Sequence, residues 1–171
     1  MRVFLIAAAV VAAAFVASPA QASDLVFTTT LSGAEFPTTT GSAATGDATL
    51  RLHADTQTID AQITVRGIRL NDLAHHLAHS QMGPIHLHRY MANGDVTLIL
   101  PFPLNATYAE TADGFTVTTT GYAYADGAAA VRSALSFEQF LAVLANDPIY
   151  LNVHTNAFGD GEISGHVERA Q

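Results

Sequence analysis

The feature that most restricts the fold of this chain is a strict two-residue alternation of apolar and polar side chains at residues 59–66. Apolar side chains occupy the odd positions from Ile59 to Val65, and polar or charged side chains occupy the even positions. Residues 48–53 alternate in the same way and are separated from this run by a short turn. Such alternation is typical of strands with one face on a core and the other in water. The two runs therefore predict an antiparallel hairpin with one wet face.

Strand patterns recur along most of the remaining chain, and helix patterns are few. The further predicted strands are residues 25–31, 85–91, 96–100, 115–124, 149–155 and 162–168. They are rich in β-branched and aromatic residues and are bounded by Gly, Pro and Asn turn signals. Seven or eight strands with regularly spaced turns predict an all-β chain, folded as an antiparallel β-sandwich of the immunoglobulin-like or superoxide-dismutase-like kind.

One short helix is predicted near residues 136–145. Ser136 is a good N-cap, and the apolar residues that follow it fall on one stripe with spacings of three and four. Asp147 and Pro148 end the pattern. A shorter helical segment is indicated at residues 71–79, where Asn71 can act as the cap.

The first 22 residues have the pattern of a cleavable signal peptide. Arg2 is followed by an apolar run at residues 3–16, and Ala20 and Ala22 form a small-x-small cleavage site. The run is shorter than the roughly 20 apolar residues that span a bilayer. We expect a mature domain of residues 23–171, secreted or periplasmic, with no membrane span.

Composition excludes several kinds of site and partner. The chain has no Cys, so disulfides, thiolate catalysis and Cys metal sites are absent. Its formal net charge is −8 with His neutral, which disfavours binding to the phosphate backbone of nucleic acids. The unusual feature is the presence of eight His, five of which lie between residues 75 and 88.

The spacing of these histidines indicates which side chains share a face. His86 and His88 are two residues apart on a predicted strand, so both rings leave the same face. His75 and His79 are four apart on the predicted short helix and also share a face. Imidazole is a ligand for copper, zinc and other transition metals. The His75 and His79 pair lacks the Glu of a zinc protease motif, so protease chemistry is not indicated.

Two further histidines flank a Gly-containing loop at residues 156–161. His154 lies at the end of one predicted strand and His166 lies on the next. The candidate metal ligands are His86, His88, His154 and His166, with His75 and His79 as further candidates and copper or zinc as the ion. The alternative for each is a structural imidazole that hydrogen-bonds the backbone or faces water.

Several motifs, in order along the chain, resemble the CHRD domain, named for chordin. Residues 31–37 resemble its Leu-Ser-Gly-x-x-Glu-x-Pro opening, and residues 85–88 resemble its Ala-His-Ile-His segment. Residues 150–155 and 161–166 resemble its closing Asn-Val-His-Thr and Gly-Glu-Ile-Arg-Gly-Gln. The resemblance implies an extracytoplasmic β-sandwich and carries over His86, His88 and His154 as the family's characteristic histidines. Ser164 stands where the family has Arg, and His166 stands where it has Gln.

Three functional hypotheses follow. The first is an exported CHRD binding module that holds copper or zinc through its histidine cluster. The second is a structural or protein-interaction domain without metal, whose partner is an unidentified extracytoplasmic protein. The third is a metalloenzyme of the superoxide-dismutase kind, for which no arranged second shell of residues is visible in the sequence. The first is favoured over the second, and the second over an enzyme.

Overall fold

The computed structural model describes residues 24–102 and 107–171, so the predicted signal peptide lies outside the described residues. The described strands are β1 (Leu25–Ser32), β2 (Thr45–His53), β3 (Thr58–Arg66), β4 (Ile85–Tyr90), β5 (Val96–Phe102), β6 (Tyr108–Glu110), β7 (Gly114–Ala123), β8 (Ile149–Val153), β9 (Ile163–His166) and β10 (Glu168–Arg169). The described α-helices are α1 (His75–Ala78), α2 (Tyr124–Ala130) and α3 (Phe137–Asn146). A 3-10 turn, Leu70–Asp72, precedes α1.

The strands form one curled, antiparallel sheet in the order β5-β4-β8-β9-β1-β2-β3-β7-β6, with β10 on β1. The curl places β4, β8 and β9 in one half of a sandwich-like fold and β2, β3 and β7 in the other. Apolar side chains from both halves form a single core. The predicted all-β, sandwich-like fold is thus confirmed. No helix in the described part of the chain is long and apolar enough to cross a membrane.

The alternation at residues 59–66 produces the predicted hairpin. Strands β2 and β3 pair in unbroken register from the Thr45 and Arg66 pair to the His53 and Thr58 pair. The odd-numbered side chains of β3 from Ile59 to Val65 are buried, whereas the even-numbered ones are exposed or half-buried. The period of two excludes a slip of one residue, which would turn every apolar side chain outward, and the short turn between the strands fixes the remaining choice of register.

The predicted helix is α3, and its start has the expected cap. The Ser136 side chain accepts a hydrogen bond from the Gln139 N–H at 3.2 Å, and the Gln139 side chain accepts one from the Ser136 N–H at 2.8 Å. A second helix, α2, is absent from the sequence prediction, which extends the preceding strand to Tyr124 and assigns no element to residues 125–130. The strand ends at Ala123, and Tyr124 instead stacks on Phe140 of α3 with ring centroids 4.7 Å apart.

Candidate metal centre

One face of β4 and β8 carries the two histidines of β4 and Asn152 of β8. Register pairs His86 with Asn152 and His88 with Tyr150 across the two strands. On the other face, the apolar residues of both strands are fully buried in the core: Ile85, Leu87, Ile149, Leu151 and Val153. His154 follows β8 directly, and its N–H donates to the Pro84 carbonyl at 2.9 Å, which continues the ladder past the strand end. The alternation that buries one face in the core therefore gathers the histidines on the other.

Three of the predicted ligands lie together on this face. The potential ligand atoms of His86, His88 and His154 all lie within 4.8 Å of one another. The centroid of the His86 ring is 5.5 Å from that of His88 and 4.8 Å from that of His154. The remaining centroid pair, His88 to His154, is 5.5 Å apart. Three imidazoles thus form a nearly equilateral triangle. Among the described residues, no other group of three His, Asp or Glu side chains has this proximity.

The His154 ring is oriented by the loop that follows it. Its Nδ1 lies 2.9 Å from the Gly159 carbonyl oxygen, which can only accept, so Nδ1 carries the proton. The lone pair of Nε2 faces Nε2 of His88 at 3.4 Å, a distance at which the two rings can share a proton in a hydrogen bond or share a bound ion. Two nitrogens bound to one tetrahedral zinc at about 2.0–2.1 Å would be separated by about 3.3–3.4 Å. The spacing of these two rings matches a shared ion.

The His86 ring is buried without a partner. It is 3 % exposed, and neither ring nitrogen has a hydrogen bond within the described residues. The backbone at Gly83 and Met82 acts to raise the pKa of this ring, although no contact there has hydrogen-bond geometry. Leaving a buried polar group unsatisfied costs about 1–3 kcal/mol, and such groups in folded proteins call for an explanation. A ligand shared with the other two rings would satisfy these nitrogens.

The electrostatic surroundings keep all three rings neutral. Burial, together with the smaller effects of the His154 and His88 rings, lowers the pKa of His86 to about 3. Burial lowers the pKa of His88 to about 4, again assisted by His154. Burial also lowers the pKa of His154, although the bond to Gly159 and the charge of Asp160 oppose this. Neutral imidazole is the form that binds metal ions, so near neutral pH the three rings have no proton to release before they bind one.

A comparison with known families gives the identity of the domain. The sequence model of the CHRD domain family matches residues 27–167, nearly all of the described chain. This chain belongs to the CHRD domain family. CHRD is a domain of extracellular type. No curated protein and no solved structure matches the chain significantly.

A segment from the start of this CHRD domain covers the histidine-bearing half of the sheet. We call residues 35–42 the cover segment. Phe36 packs edge-on against Tyr90 and Tyr150, with ring centroids 5.2 Å away in both cases. The Thr38 hydroxyl lies 2.7 Å from that of Ser164 on β9. The cover segment therefore removes much of this outer face from water.

The residue at the family's usual Arg position has a structural explanation. Ser164 is fully buried under the cover segment. Its hydroxyl donates to the Phe36 carbonyl at 3.1 Å and meets the Thr38 hydroxyl. An Arg side chain at this position would have to displace the segment to reach water. The small hydroxyl thus fits the close approach of the cover segment.

The remaining predicted ligands lie apart from the three-histidine group. His166 is on β9 beside Tyr150, and its Nδ1 is 3.2 Å from the Glu168 carboxylate. His75 and His79 lie at α1 and are exposed. The start of α1 is nevertheless held beside the site, because the Ala74 N–H donates to the His154 carbonyl at 3.1 Å.

Two polar residues next to the histidines were not singled out from the sequence. Asn152 is 1 % exposed, its Oδ1 is buried without a partner, and its Nδ2 reaches the Tyr90 hydroxyl only at 3.5 Å. The available signal was the amide itself, since a polar residue in the centre of an otherwise apolar strand needs a partner. Asp160 lies in the Gly-containing loop after His154, and its charge acts to raise the pKa of both His154 and Tyr90.

Proposed function

We propose that this CHRD domain is an exported binding module that holds one transition-metal ion, copper or zinc, on His86, His88 and His154. The observation that supports this most directly is the buried His86 ring, whose nitrogens lack partners beside two other neutral imidazoles. The separation of 3.4 Å between Nε2 of His88 and Nε2 of His154 also fits two ligands of one ion. Export follows from the predicted signal peptide and agrees with the extracellular type of the family.

A second candidate function is a protein-interaction module without metal. It is favoured by the aromatic side chain of Phe36, which is 55 % exposed beside Tyr90 and Tyr150. Aromatic residues are enriched where proteins bind one another. In this case the hydrogen bond from His154 to the Gly159 carbonyl holds the loop, and metal ions do not stabilise the domain. The two candidates differ in whether the native state takes up an ion.

Calorimetric titration of the mature protein with Zn(II) and with Cu(II) tests the proposal. We expect one ion per chain for the wild type. The double variant His86→Ala/His88→Ala should lose this binding by at least about 100-fold, because it removes two of three ligands. The matched control is His75→Ala/His79→Ala, which removes two exposed imidazoles from the same region and should keep the affinity.

Circular dichroism of each variant shows whether it is folded. Because His86 is buried, His88→Gln is a second variant that removes a half-buried ligand and leaves less of a cavity. Weak uptake that is equal in the wild type, the double variant and the His88→Gln variant would contradict the proposal and favour the module without metal.

A further inference from the structure

The histidine group supplies three ligands to the proposed ion, and this inference rests on that site. The group whose ligand atoms lie within 4.8 Å of one another consists of three imidazoles, and no carboxylate or further His of the described residues belongs to it. Zinc in proteins is almost always four-coordinate, and a site with three protein ligands carries a water or a substrate in the fourth position. The fourth ligand of this ion would therefore come from outside the described chain, and the residues beside the histidines decide what it can be.

A buried amide beside the histidines has an acceptor oxygen that lacks a donor. Asn152 is 1 % exposed, its Oδ1 has no hydrogen-bond partner within the described residues, and its Nδ2 reaches only the Tyr90 hydroxyl, at 3.5 Å. The following loop covers it, since a Cβ built on Gly161 would lie 3.4 Å from Nδ2. The N–H of Gly161 is already donated to the Phe158 carbonyl at 3.1 Å. Leaving a buried acceptor unpaired is unfavourable, so this oxygen calls for a donor that the surrounding chain does not supply.

The strand register places this amide in the middle row of the histidine group. Asn152 is the direct partner of His86 across β4 and β8, and such partners have Cβ atoms about 4.5–5.5 Å apart on the same face. His88 lies two positions further along β4, and His154 lies two positions after Asn152, just past the end of β8. Because the strands are antiparallel, these two residues flank the central pair from opposite sides. Their Nε2 atoms are nevertheless 3.4 Å apart, so the two rings lean towards each other across the row formed by His86 and Asn152.

We propose that Asn152 accepts a hydrogen bond from a water molecule that binds the ion as its fourth ligand, so that the centre has an exchangeable position for a small ligand. An amide oxygen can only accept, so the ligand that satisfies it must carry a hydrogen atom. Water meets this requirement and is the usual fourth ligand where the protein supplies three. Asn152 then acts as a positioning residue, because it touches the water and not the ion. Small inorganic anions such as azide would enter by displacing the water.

The competing role for the amide is to orient His86. A histidine that binds a metal ion usually donates its other ring N–H to an acceptor in the surrounding shell, and loss of such an acceptor weakens the metal site about 10–100-fold. Both ring nitrogens of His86 lack partners within the described residues, so Oδ1 of Asn152 is a candidate acceptor for this ring. The two roles differ in what removal of the amide changes, which is either the bound water or the affinity for the ion.

The experiment follows the visible absorption of the Co(II) form of the mature protein against azide concentration and against pH. In the wild type we expect azide to change the spectrum saturably, with one azide per ion, and we expect an alkaline transition as the bound water loses a proton. Asn152→Leu keeps the volume of the side chain and removes the acceptor that stabilises the protonated water, so the transition should move down by about 0.5 pH unit. Asn152→Asp keeps an acceptor and adds a negative charge, so the transition should move up by about 1 pH unit.

Two further measurements separate this role from a structural one. Ser164→Ala is the matched control, because Ser164 is buried directly opposite Asn152 on β9 and its hydroxyl already has partners. It should leave the azide response and the alkaline transition at their wild-type values. In the metal-free protein, Asn152→Leu should not lower the free energy of unfolding, because it replaces an unpaired buried amide with an apolar group. A clear loss of stability on this change would assign the amide a structural role and overturn the inference.

The remaining outcomes have distinct meanings. A wild-type Co(II) form that responds to neither azide nor alkali would contradict the bound water and leave the three-histidine site in place. Shifts of the same sign in Asn152→Leu and Asn152→Asp, or an equal shift in Ser164→Ala, would remove Asn152 from the position beside the water. A loss of Zn(II) affinity of at least about tenfold in Asn152→Leu, with the transition unmoved, would assign the amide to His86. A wild type that takes up neither Zn(II) nor Co(II) would overturn the proposed function itself, and this inference with it.

Discussion

Histidines on the outer faces of the two halves of the curled sheet have pKa shifts of opposite sign. On β2, His53 is half-buried between two carboxylates, with Nδ1 2.9 Å from Asp24 and Nε2 3.1 Å from Asp60. These bonds raise the pKa of His53. On β4, His86 has the same outward direction but lies under other chain segments, and burial lowers its pKa to about 3. The sequence places both residues on alternating strands. What covers the strand, and not the strand itself, decides the chemistry of the ring.

The comparison predicts that metal ions affect one half of the sheet and not the other. Zn(II) at 100 times its dissociation constant should stabilise the wild type by about 2.7 kcal/mol, because it binds only the native state. For a domain of this size, that raises the midpoint of thermal unfolding by roughly 5–10 °C. The shift should persist in His53→Gln and vanish in His88→Gln. Differential scanning calorimetry with Zn(II) and with a chelator measures it. Equal shifts in both variants would locate the ion elsewhere.

Acid should destabilise the metal-free protein because the buried His86 ring resists protonation in the folded state. The pKa of His86 is about 3 in the folded state, against about 6.5 when unfolded. Between these values only the unfolded chain binds the proton, so stability is complete above pH 6.5 and falls as the pH decreases. At pH 5 the loss from His86 alone is about 2 kcal/mol.

Urea unfolding at pH 7, 6 and 5 in the presence of a chelator measures this dependence. His86→Gln removes one of the titrating rings and should make the pH profile less steep, whatever its effect on absolute stability, while His88 and His154 keep part of the slope. A variant profile as steep as that of the wild type would show that the buried ring takes up a proton in the folded state.

Buried and exposed hydroxyl pairs give a third contrast between the halves. The hydroxyls of Thr38 in the cover segment and Ser164 on β9 are 2.7 Å apart, and both residues are buried. Thr56 and Thr58 form a pair with a separation of 2.8 Å at the exposed turn of the β2–β3 hairpin. We expect Ser164→Ala to lower the free energy of unfolding by about 1–2 kcal/mol, because Thr38 loses a buried partner. Thr56→Ala should change it by less than about 0.5 kcal/mol.

Chemical denaturation of both variants at pH 7 measures the difference. Because water can replace the partner at the exposed turn and not under the cover segment, a similar loss in both would mean that the segment opens to solvent in the native state.

The half of the sheet formed by β2, β3 and β7 could be predicted almost completely from the sequence. The half formed by β4, β8 and β9 could be predicted only in part. In β3 the apolar positions reveal the buried face, so the hairpin and its register follow from the pattern and the short turn. In β4 and β8 both faces are buried, and the polar side chains His86 and Asn152 conceal which face meets the core. The strand period still places His86 and His88 on one face. Phe36 of the cover segment packs on Tyr90 and Tyr150 of the same two strands from a distant part of the chain, and no local pattern predicts that contact.

The site itself was predictable to a similar degree. The family's motifs single out His86, His88 and His154, and the structure brings these three together. Their meeting depends on the pairing of β4 with β8, which lies about 60 residues further along the chain. The sequence could not predict the orientation of the His154 ring, because a hydrogen bond from that ring to a backbone carbonyl, that of Gly159, fixes it. Backbone contacts of this kind leave no residue-type signal.

The smallest expected effect lies at His53 and has the opposite pH dependence to that at His86. Because the bonds to Asp60 and Asp24 raise its folded pKa above 6.5, this pairing contributes stability that is complete below pH 6.5. The contribution is lost as the pH rises through the raised pKa. It should stay below about 1 kcal/mol, since both carboxylates are more than one-third exposed. His53→Gln should therefore destabilise the protein more at pH 5.5 than at pH 8.5. Urea unfolding at the two values, with His75→Gln at exposed α1 as the control, measures it. Acid removes the contribution of His86 to the free energy of unfolding, whereas it preserves that of His53. If His53→Gln instead destabilised the protein more at pH 8.5, the two rings would titrate alike, and burial would not distinguish them.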